Sequence, residues 1–353
     1  MSKLQRKVSW GLAGAFIAAI GLEIGLRCAD PKDLIAYGSA DMIEYKAVRQ
    51  YLDVQGPADV SFLGDSRARE SISVPLVKDY CASTLMRPVT VANYACGGAR
   101  TCHIEEIVRY ILKQEHKPKL LLYGMSPRTL IAHDYDLRRS AIYWNIADML
   151  KNSELSMKEK INFLPSVLRQ EIDKHYWTFR YRDKPGEVIY NWISLKLLKV
   201  GVSCPINGEL TIWQKYDNNS LVTRSIKSEQ IQSFVERLIV NEQIPMGEEL
   251  VDNLENIIRL CEEADIPLVF FEVPLSEMLI EHYPSRFYED YRELVSSISK
   301  KWQVPFVMVE DLGVSFSPED FLEYSHLNLR GAEKFSSALC EGVLIQYLLN
   351  NYK

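Results

Sequence analysis

The stretch from Asp59 to Arg69 reads DVSFLGDSRAR, and it contains the strand pattern and the polar residues on which the fold assignment rests. Its first half, Asp59 to Leu63, is a short β-branched and aromatic run that is typical of a buried strand. Gly64, Asp65 and Ser66 follow directly. Because ligands of open α/β sheets bind at the carboxyl ends of the strands, Ser66 is well placed for chemistry.

Segments of the same kind recur along the chain and alternate with helical patterns. Further strands are predicted at Val89 to Ala95, Leu120 to Tyr123, Pro267 to Val273 and Pro305 to Val309. Helices are predicted at Val74 to Leu85, His103 to Gln114, Leu250 to Glu263, Tyr288 to Lys301 and Gly331 to Asn350. This alternation predicts an α/β fold of three layers, flavodoxin-like, with a roughly five-stranded parallel sheet.

The third and fourth predicted strands are separated by far more chain than a normal crossover needs. The excess, residues 133 to 249, is predicted to be a mostly helical insertion with helices at Ser156 to Arg169 and Ser228 to Val240. We interpret it as a cap or docking subdomain. Its aromatic residues either line an acyl or glycan groove or fill the core of the insertion itself; they are Tyr176, Trp177, Phe179, Tyr181, Tyr190 and Trp192.

The N-terminus contains an apolar run from Val8 to Ile24 that is interrupted only by Glu23. At the helical rise this run nearly spans a bilayer. Basic residues precede it, at Lys3, Arg6 and Lys7. The sequence therefore favours a signal anchor in residues 1–30 with a cytoplasmic N-terminus, followed by an extracytoplasmic domain in residues 31–353. A cleaved signal peptide and a buried helix are the alternatives.

Composition excludes several classes of protein. The 353 residues include 41 Lys and Arg against 47 Asp and Glu, a net charge of −6, which argues against a general nucleic-acid binder. Seven cysteines without a CxxC pair suggest no zinc site. Cys96 and Cys102 are close enough in sequence to pair in an oxidising compartment, but most of the cysteines are expected to be small buried hydrophobic residues.

A second polar motif lies near the other end of the chain, at Glu323 to Asn328 (EYSHLN), ahead of a helical pattern that begins at Gly331. Glu323 precedes His326 by three residues. A carboxylate in this position can orient the imidazole, which accepts the proton of a nucleophilic Ser66. Asp320 is a rival for the role of Glu323, and Ser66 has the alternative role of a helix cap.

These motifs resemble the blocks of the SGNH (GDSL) hydrolase superfamily over about 200 residues of the core. The first block matches at Phe62 to Ser66, which implies that Ser66 is the nucleophile and that its N–H contributes to the oxyanion hole. The second block resembles Asn93 to Ala99, which implies Gly98 as another donor. The last block matches at Glu323 to His326, with Glu where the family usually has Asp.

The third block departs from the family pattern. The family places Gly-x-Asn-Asp after the third strand, whereas this chain has Gly124-Met125-Ser126-Pro127-Arg128. Ser126 falls where the oxyanion-binding Asn should be. The alternative is that Ser126 caps a helix with Pro127 at its first position.

Together with the anchor, this departure is similar to the membrane-anchored SGNH-like proteins of bacterial envelopes, a group that includes DltD-like and AlgX-like proteins. The resemblance implies a serine esterase or O-acyltransferase of the cytoplasmic membrane, with a periplasmic domain that acts on a cell-surface glycan or polymer. It further implies an acyl donor, a polymer acceptor and an integral-membrane O-acyltransferase partner. No cofactor or metal is predicted.

The basic residues around the motifs admit two interpretations. Arg67, Arg69 and Arg128 either ring the site and bind an anionic polymer, or form ordinary solvated surface. The alternative function is a catalytically weak or inactive SGNH-like subunit that binds glycan or serves as a scaffold. A structural partner whose insertion docks on a membrane protein is compatible with either function.

Overall fold

The computed structural model describes residues 20, 43–131, 140–151, 155–175, 228–238 and 248–351. The chain divides into two compact units. One unit takes its described residues from Met1–Val54 and Ala141–Val202, and the other takes them from Gln55–Ser140 and Ser203–Lys353. Each unit is described separately.

The larger unit is built on a five-stranded sheet in which every strand pairing is parallel. The strands are β1 (Val60–Gly64), β2 (Val91–Asn93), β3 (Leu120–Met125), β4 (Leu268–Glu272) and β5 (Phe306–Val307). Their spatial order is β2-β1-β3-β4-β5. This is the flavodoxin-like order of a doubly wound sheet, in which the strand order reverses between β1 and β3. The predicted α/β class and five-stranded parallel sheet are confirmed.

Helices connect these strands, and a small hairpin follows them. The helices of this unit are α2 (Ser66–Ser71), α3 (Val74–Leu85), α4 (Thr101–Leu112), α5 (Pro127–Leu130), α8 (Ser228–Leu238), α9 (Glu248–Glu263), α10 (Glu277–Ile280), α11 (Phe287–Trp302), α12 (Leu329–Leu339) and α13 (Ile345–Asn351). A π-helical segment, Cys340–Leu344, joins the last two. The hairpin pairs β6 (Phe321–Glu323) with β7 (His326–Leu327).

Apolar periodicity explains how the helices pack. On α9, the buried residues Leu250, Leu254, Ile257 and Cys261 recur at helical spacing, and the helix lies along α4. Asn253 on α9 donates a 2.8 Å hydrogen bond to Glu105 on α4. One side chain of β1 connects the sheet to its helical layer, because Phe62 packs edge-on against Phe271, which in turn contacts Phe335 of α12.

The smaller unit is helical in its described part. It contains α1 (Ile43–Gln55), α6 (Ile146–Lys151) and α7 (Met157–His175). The last residue of α1, Gln55, belongs to the larger unit. Tyr143 donates a hydrogen bond to the carbonyl of Tyr45 at 3.0 Å, and Trp144 packs edge-on against Phe163. Part of the segment that the sequence assigns to the insertion therefore forms a unit with residues that precede the sheet.

Two sequence predictions concern residues beyond the described ranges. The predicted anchor at residues 8–24 lies outside the described residues apart from Ile20, and among the described residues no helix is long and apolar enough to cross a bilayer. The aromatic residues from Tyr176 to Trp192 also lie outside the described part.

The described cysteines are buried and in the reduced state, namely Cys81, Cys96, Cys102, Cys261 and Cys340. Cys96 and Cys102 therefore do not form a disulfide in this structure. Burial raises the pKa of Cys81 to about 11 and that of Cys102 to about 12. These thiols act as small apolar side chains, as expected.

Candidate active site

Two paired glycines allow the helix that carries Ser66 to pack closely against the sheet. Gly64 at the end of β1 is in register with Gly124 on β3, and Ala68 of α2 packs against both. A Cβ atom at Gly64 would lie 2.4 Å from the Cβ of Ala68, and one at Gly124 would lie 2.6 Å from it. Gly64 also has a φ of +147°, which L side chains rarely adopt. The close approach brings α2 down onto the switch point of the sheet.

Asp65, rather than Ser66, caps this helix. Its carboxylate accepts hydrogen bonds from the N–H groups of Arg67 at 2.9 Å and Ala68 at 3.4 Å. Ser66 is the first helical residue, so the interpretation of Ser66 as the cap is wrong. Its hydroxyl is left available for other contacts at the carboxyl end of β1.

The second half of the site lies on the β6–β7 hairpin. Asn328 ends the hairpin and caps α12 by accepting a hydrogen bond from the N–H of Gly331 at 3.0 Å. At Gly331 a Cβ would lie 2.2 Å from the carbonyl oxygen of Asp320. Only a residue without a side chain allows the helix to start this close to the hairpin.

The structure brings Ser66, His326 and Glu323 together. The Nε2 atom of His326 lies 2.9 Å from the Oγ atom of Ser66, and Nδ1 contacts the carboxylate of Glu323. A carboxylate on Nδ1 selects the tautomer that has its proton there. Nε2 is then the hydrogen-bond acceptor for the hydroxyl of Ser66. This geometry is that of a nucleophile, a base and an orienting acid.

Ser325 adds a contact that the sequence motif did not reveal. Its hydroxyl donates to Glu323 at 2.7 Å and its N–H donates to the same oxygen at 3.0 Å. The hydroxyl also lies 3.0 Å from Nδ1 of His326. Ser325 was visible in the motif between Glu323 and His326, but its role depends on the hairpin turn, which folds it back onto the carboxylate.

Asp320 is not the partner of the histidine. Its carboxylate accepts hydrogen bonds from the N–H of Ser317 at 2.9 Å and from Lys334 at 3.2 Å. It holds the turn before β6 against α12. Of the two acids that the sequence left open, Glu323 is the one that contacts His326.

Ser126 lies at the carboxyl end of β3 and has no exposed surface. Its hydroxyl donates to the carboxylate of Asp65 at 3.0 Å, and it accepts a 3.4 Å hydrogen bond from Nη1 of Arg67. A serine hydroxyl has one proton. That proton is directed at Asp65 rather than at the space in front of Ser66. Although Ser126 precedes α5, no side-chain cap bond is made there.

Arg67 is a buried residue and not a surface one. It is 1% exposed, and its Nη1 atom forms a 3.0 Å ion pair with Asp65. Arg69 is also buried and pairs with Glu70 at 2.8 Å. The interpretation of these two arginines as solvated surface is therefore wrong. Arg128 is partly buried, and its carbonyl accepts a hydrogen bond from Arg100.

Neighbouring groups keep the two carboxylates of this site ionised. Burial alone would raise the pKa of Asp65, but Arg67, Arg128 and His326 hold it below its ordinary value. Burial would likewise raise the pKa of Glu323, but its contacts with His326 and Ser325 lower it. Both acids are therefore anionic near neutral pH.

The turn after β2 lies next to the segment that carries Ser66. Gly98 in this turn has a φ of +67°, and the N–H of Cys96 donates to the carbonyl of Gly64 at 3.0 Å. The side-chain amide of Asn93 donates to the carbonyl of Arg69 at 3.2 Å. These bonds connect the segment that contains Gly98, the predicted donor, to the end of β1 and to α2.

Metal-ligand clusters of His, Cys, Asp and Glu do not occur within the described ranges. No model of a known protein family matches this chain, and no curated protein matches it either. The function is accordingly argued from the geometry of the site.

Proposed function

We propose that this protein is a serine esterase or O-acyltransferase of the SGNH type that works through an acyl-Ser66 intermediate. One observation carries the proposal: His326 lies between Ser66 and Glu323, with its two ring nitrogens on opposite partners. The position of Ser66 at the switch point of a doubly wound sheet, next to the buried Asp65, is consistent with it. The resemblance to SGNH blocks supports the same assignment.

In the proposed mechanism, Nε2 of His326 accepts the proton of Ser66 as Oγ attacks an ester carbonyl. Glu323 stabilises the resulting imidazolium. The N–H groups of Ser66 and Gly98 donate to the developing oxyanion. The leaving alcohol takes the proton from His326, and the acyl group then passes to water or to a sugar hydroxyl.

The proposed setting is the bacterial envelope. The apolar run at residues 8–24 with basic residues before it supports a single-pass anchor in the cytoplasmic membrane, with the catalytic domain periplasmic. In that setting the acceptor is a cell-surface glycan or polymer, and an integral-membrane O-acyltransferase is the proposed partner. The proposed reaction uses neither a metal nor an organic cofactor.

A second candidate is an inactive SGNH-like subunit that binds glycan in an envelope complex. One observation favours it, since the hydroxyl of Ser126 is already bonded to Asp65. This leaves the position of the usual oxyanion Asn without a side-chain donor from that residue. The two candidates differ in whether Ser66 reacts.

The test is labelling of the full-length protein, in mild detergent, with a fluorophosphonate probe, followed by mass mapping of the adduct. The wild type is expected to label at Ser66, and Ser66→Ala and His326→Ala are expected to lose labelling. Ser83→Ala and His116→Ala, which change exposed residues away from the site, are matched controls and should label like the wild type. A folded wild type that never labels would overturn the enzyme and favour the binding subunit.

A further inference from the structure

Arg67 has two side-chain nitrogens that are buried without a partner. Nη1 bonds to Asp65 and Ser126, whereas Nε and Nη2 have no hydrogen-bond partner among the described residues. Buried donors in folded proteins are nearly always satisfied, and an exception calls for a ligand, a water or a catalytic role. The guanidinium of Arg67 therefore has two buried donors without an acceptor among the described residues.

The side chain lies at the reacting end of the sheet. Arg67 follows the nucleophile directly, and its guanidinium folds back past the start of α2 to the carboxylate of Asp65. There it also reaches Ser126 at the end of β3, on the strand next to β1. Glu323 is close enough for its charge to act on Arg67. These contacts fix the guanidinium between the nucleophile helix and the carboxyl ends of β1 and β3.

Tyr283 supplies a second unsatisfied group beside it. Its hydroxyl is buried and has no partner within the described part of the chain, and it interacts electrostatically with Arg67. Burial alone would lower the pKa of Arg67, but Asp65, Tyr283 and Glu323 raise it above its ordinary value. The guanidinium is therefore a permanent cation in a region shielded from water, where its interaction with an anion is strong.

We propose that Arg67 is a catalytic residue whose Nε and Nη2 groups donate to the carbonyl oxygen that becomes negative when Ser66 attacks. This inference rests on the proposed function. As the bond from Oγ to the carbonyl carbon forms, the π electron pair moves to the oxygen, and the proton of Ser66 moves to His326. When the intermediate collapses, the pair returns, the bond to the leaving alkoxide breaks, and His326 protonates the alkoxide.

A charged donor explains how this site can work with Ser126 directed elsewhere. Hydrogen bonds from an ionised donor are roughly twice as strong as neutral ones. Loss of one oxyanion donor typically lowers the rate by about 10² to 10³. Arg67 differs from the backbone donors of Ser66 and Gly98 because it can be removed by substitution.

The test compares Arg67→Lys with the wild type in fluorophosphonate labelling. The labelling rate is measured over a range of probe concentrations, which gives the maximal rate constant and the concentration at half-saturation separately. A lysine ammonium can still pair with Asp65 but has a single nitrogen, so the two free donors are lost. We expect a fall of about 10² or more in the maximal rate constant with little change in half-saturation. The affinity for phenylboronic acid, which forms a tetrahedral anion on Ser66, should fall in parallel.

Arg292→Lys is the matched control, because Arg292 also pairs with a buried carboxylate, Glu272 at 2.7 Å, but lies outside the site. It should label like the wild type. If Arg67→Lys does not fold, a double variant replaces it: Asp65→Asn/Arg67→Met, which removes both buried charges. Its maximal rate constant is compared with that of Asp65→Asn alone, and the same fall is expected. Wild-type rates in folded Arg67 variants would overturn this inference alone, and a wild type that does not label would overturn it together with the proposed function.

Discussion

Ser325 holds Glu323 through two hydrogen bonds to one carboxylate oxygen, from its hydroxyl at 2.7 Å and from its N–H at 3.0 Å. The acid behind His326 is thus positioned by the residue that lies between the two in sequence. This relationship separates the roles of neighbouring residues in the hairpin. Glu323 contacts the histidine, and Ser325 positions Glu323.

Ser325→Ala should lower the maximal labelling rate constant about tenfold, because it removes a hydrogen bond of about 1.5 kcal/mol to a charged group. Ser325 contributes to the low pKa of Glu323, so its removal should raise that pKa. The acid limb of the pH–rate profile should then shift to higher pH. Ser317→Ala, which removes a hydroxyl that bonds to Asp320 instead, is the control and should leave the profile unchanged.

Glu323→Gln should lower the rate constant by about 10³ to 10⁴, because an amide neither fixes the tautomer of His326 nor stabilises the imidazolium. The measurement is the labelling rate at neutral pH, with circular dichroism to verify the fold. Glu319→Gln alters an exposed acid that pairs with Arg330 and should react normally. A Glu323→Gln variant that labels at the wild-type rate would exclude Glu323 as the orienting acid.

Ser126→Ala separates a structural role from an oxyanion role. The hydroxyl of Ser126 is bonded to the ionised Asp65, so its removal should lower the free energy of unfolding by about 1.5 kcal/mol and the labelling rate less than tenfold. Denaturant unfolding and labelling kinetics measure the two effects. A rate loss of about 10² or more without destabilisation would instead assign the hydroxyl to the oxyanion hole.

The ion pair between Asp65 and Arg67 predicts a loss of stability in acid. The pKa of Asp65 is lowered in the folded state, so the pair stabilises the protein above the unfolded-state pKa of about 3.9 and stops doing so as the pH falls through the folded-state pKa. Asp65→Asn leaves Arg67 buried without its anion. It should be less stable than the wild type by about 3 kcal/mol at pH 7.

This difference in stability between Asp65→Asn and the wild type should narrow as the pH falls below about 4. The unfolded wild type takes up a proton at Asp65 there, whereas the folded protein does so only at lower pH. Urea unfolding at a series of pH values measures the difference. Glu293→Gln, at an exposed position, should match the wild type throughout. A gap that stays constant with pH would show that the charge of Asp65 does not stabilise the fold.

Gly124→Ala should displace α2, the helix that begins with Ser66. The added methyl group would lie 2.6 Å from the Cβ of Ala68 and 2.8 Å from the ring of Phe271, a clash that costs about 1 to 3 kcal/mol of stability. Labelling at Ser66 should slow as well, because α2 has to move outward. Gly342→Ala, whose nearest contact is the flexible end of Leu312 at 3.0 Å, should fold and label normally. If the two variants had the same stability and the same labelling rate, the close packing of α2 on Gly64 and Gly124 would be contradicted.

The sequence predicts the sheet and its helices well because each has strong local signals. The helix predicted at Val74 to Leu85 has the same bounds in the structure, since Pro75 marks its first turn and its apolar positions recur regularly. Helix α1 was not predicted. Strand β5 is shorter than the predicted run from Pro305 to Val309, because only Phe306 and Val307 pair with β4.

The candidate site was predictable in its motifs but not in its contacts. Ser66, Glu323 and His326 are marked by residue type and by position after strands. The burial of Arg67 could not be foreseen, because one of its partners, Ser126, lies 59 residues away and meets it only when β1 and β3 pair. For the same reason the sequence could not show that the proton of Ser126 is directed at Asp65.

Ser336 of α12 accepts a hydrogen bond from the N–H of Ser73 at 2.8 Å. This bond connects the chain just after α2 to a helix residue that is translated 263 residues later. During synthesis, Ser66 emerges from the ribosome long before His326 and α12 do. The nascent chain therefore lacks the histidine partner of Ser66 for most of its translation. The contact between Ser66 and His326 forms only once the residues up to α12 have been made and have docked. In the proposed mechanism, Ser66 is therefore not activated before the domain has folded.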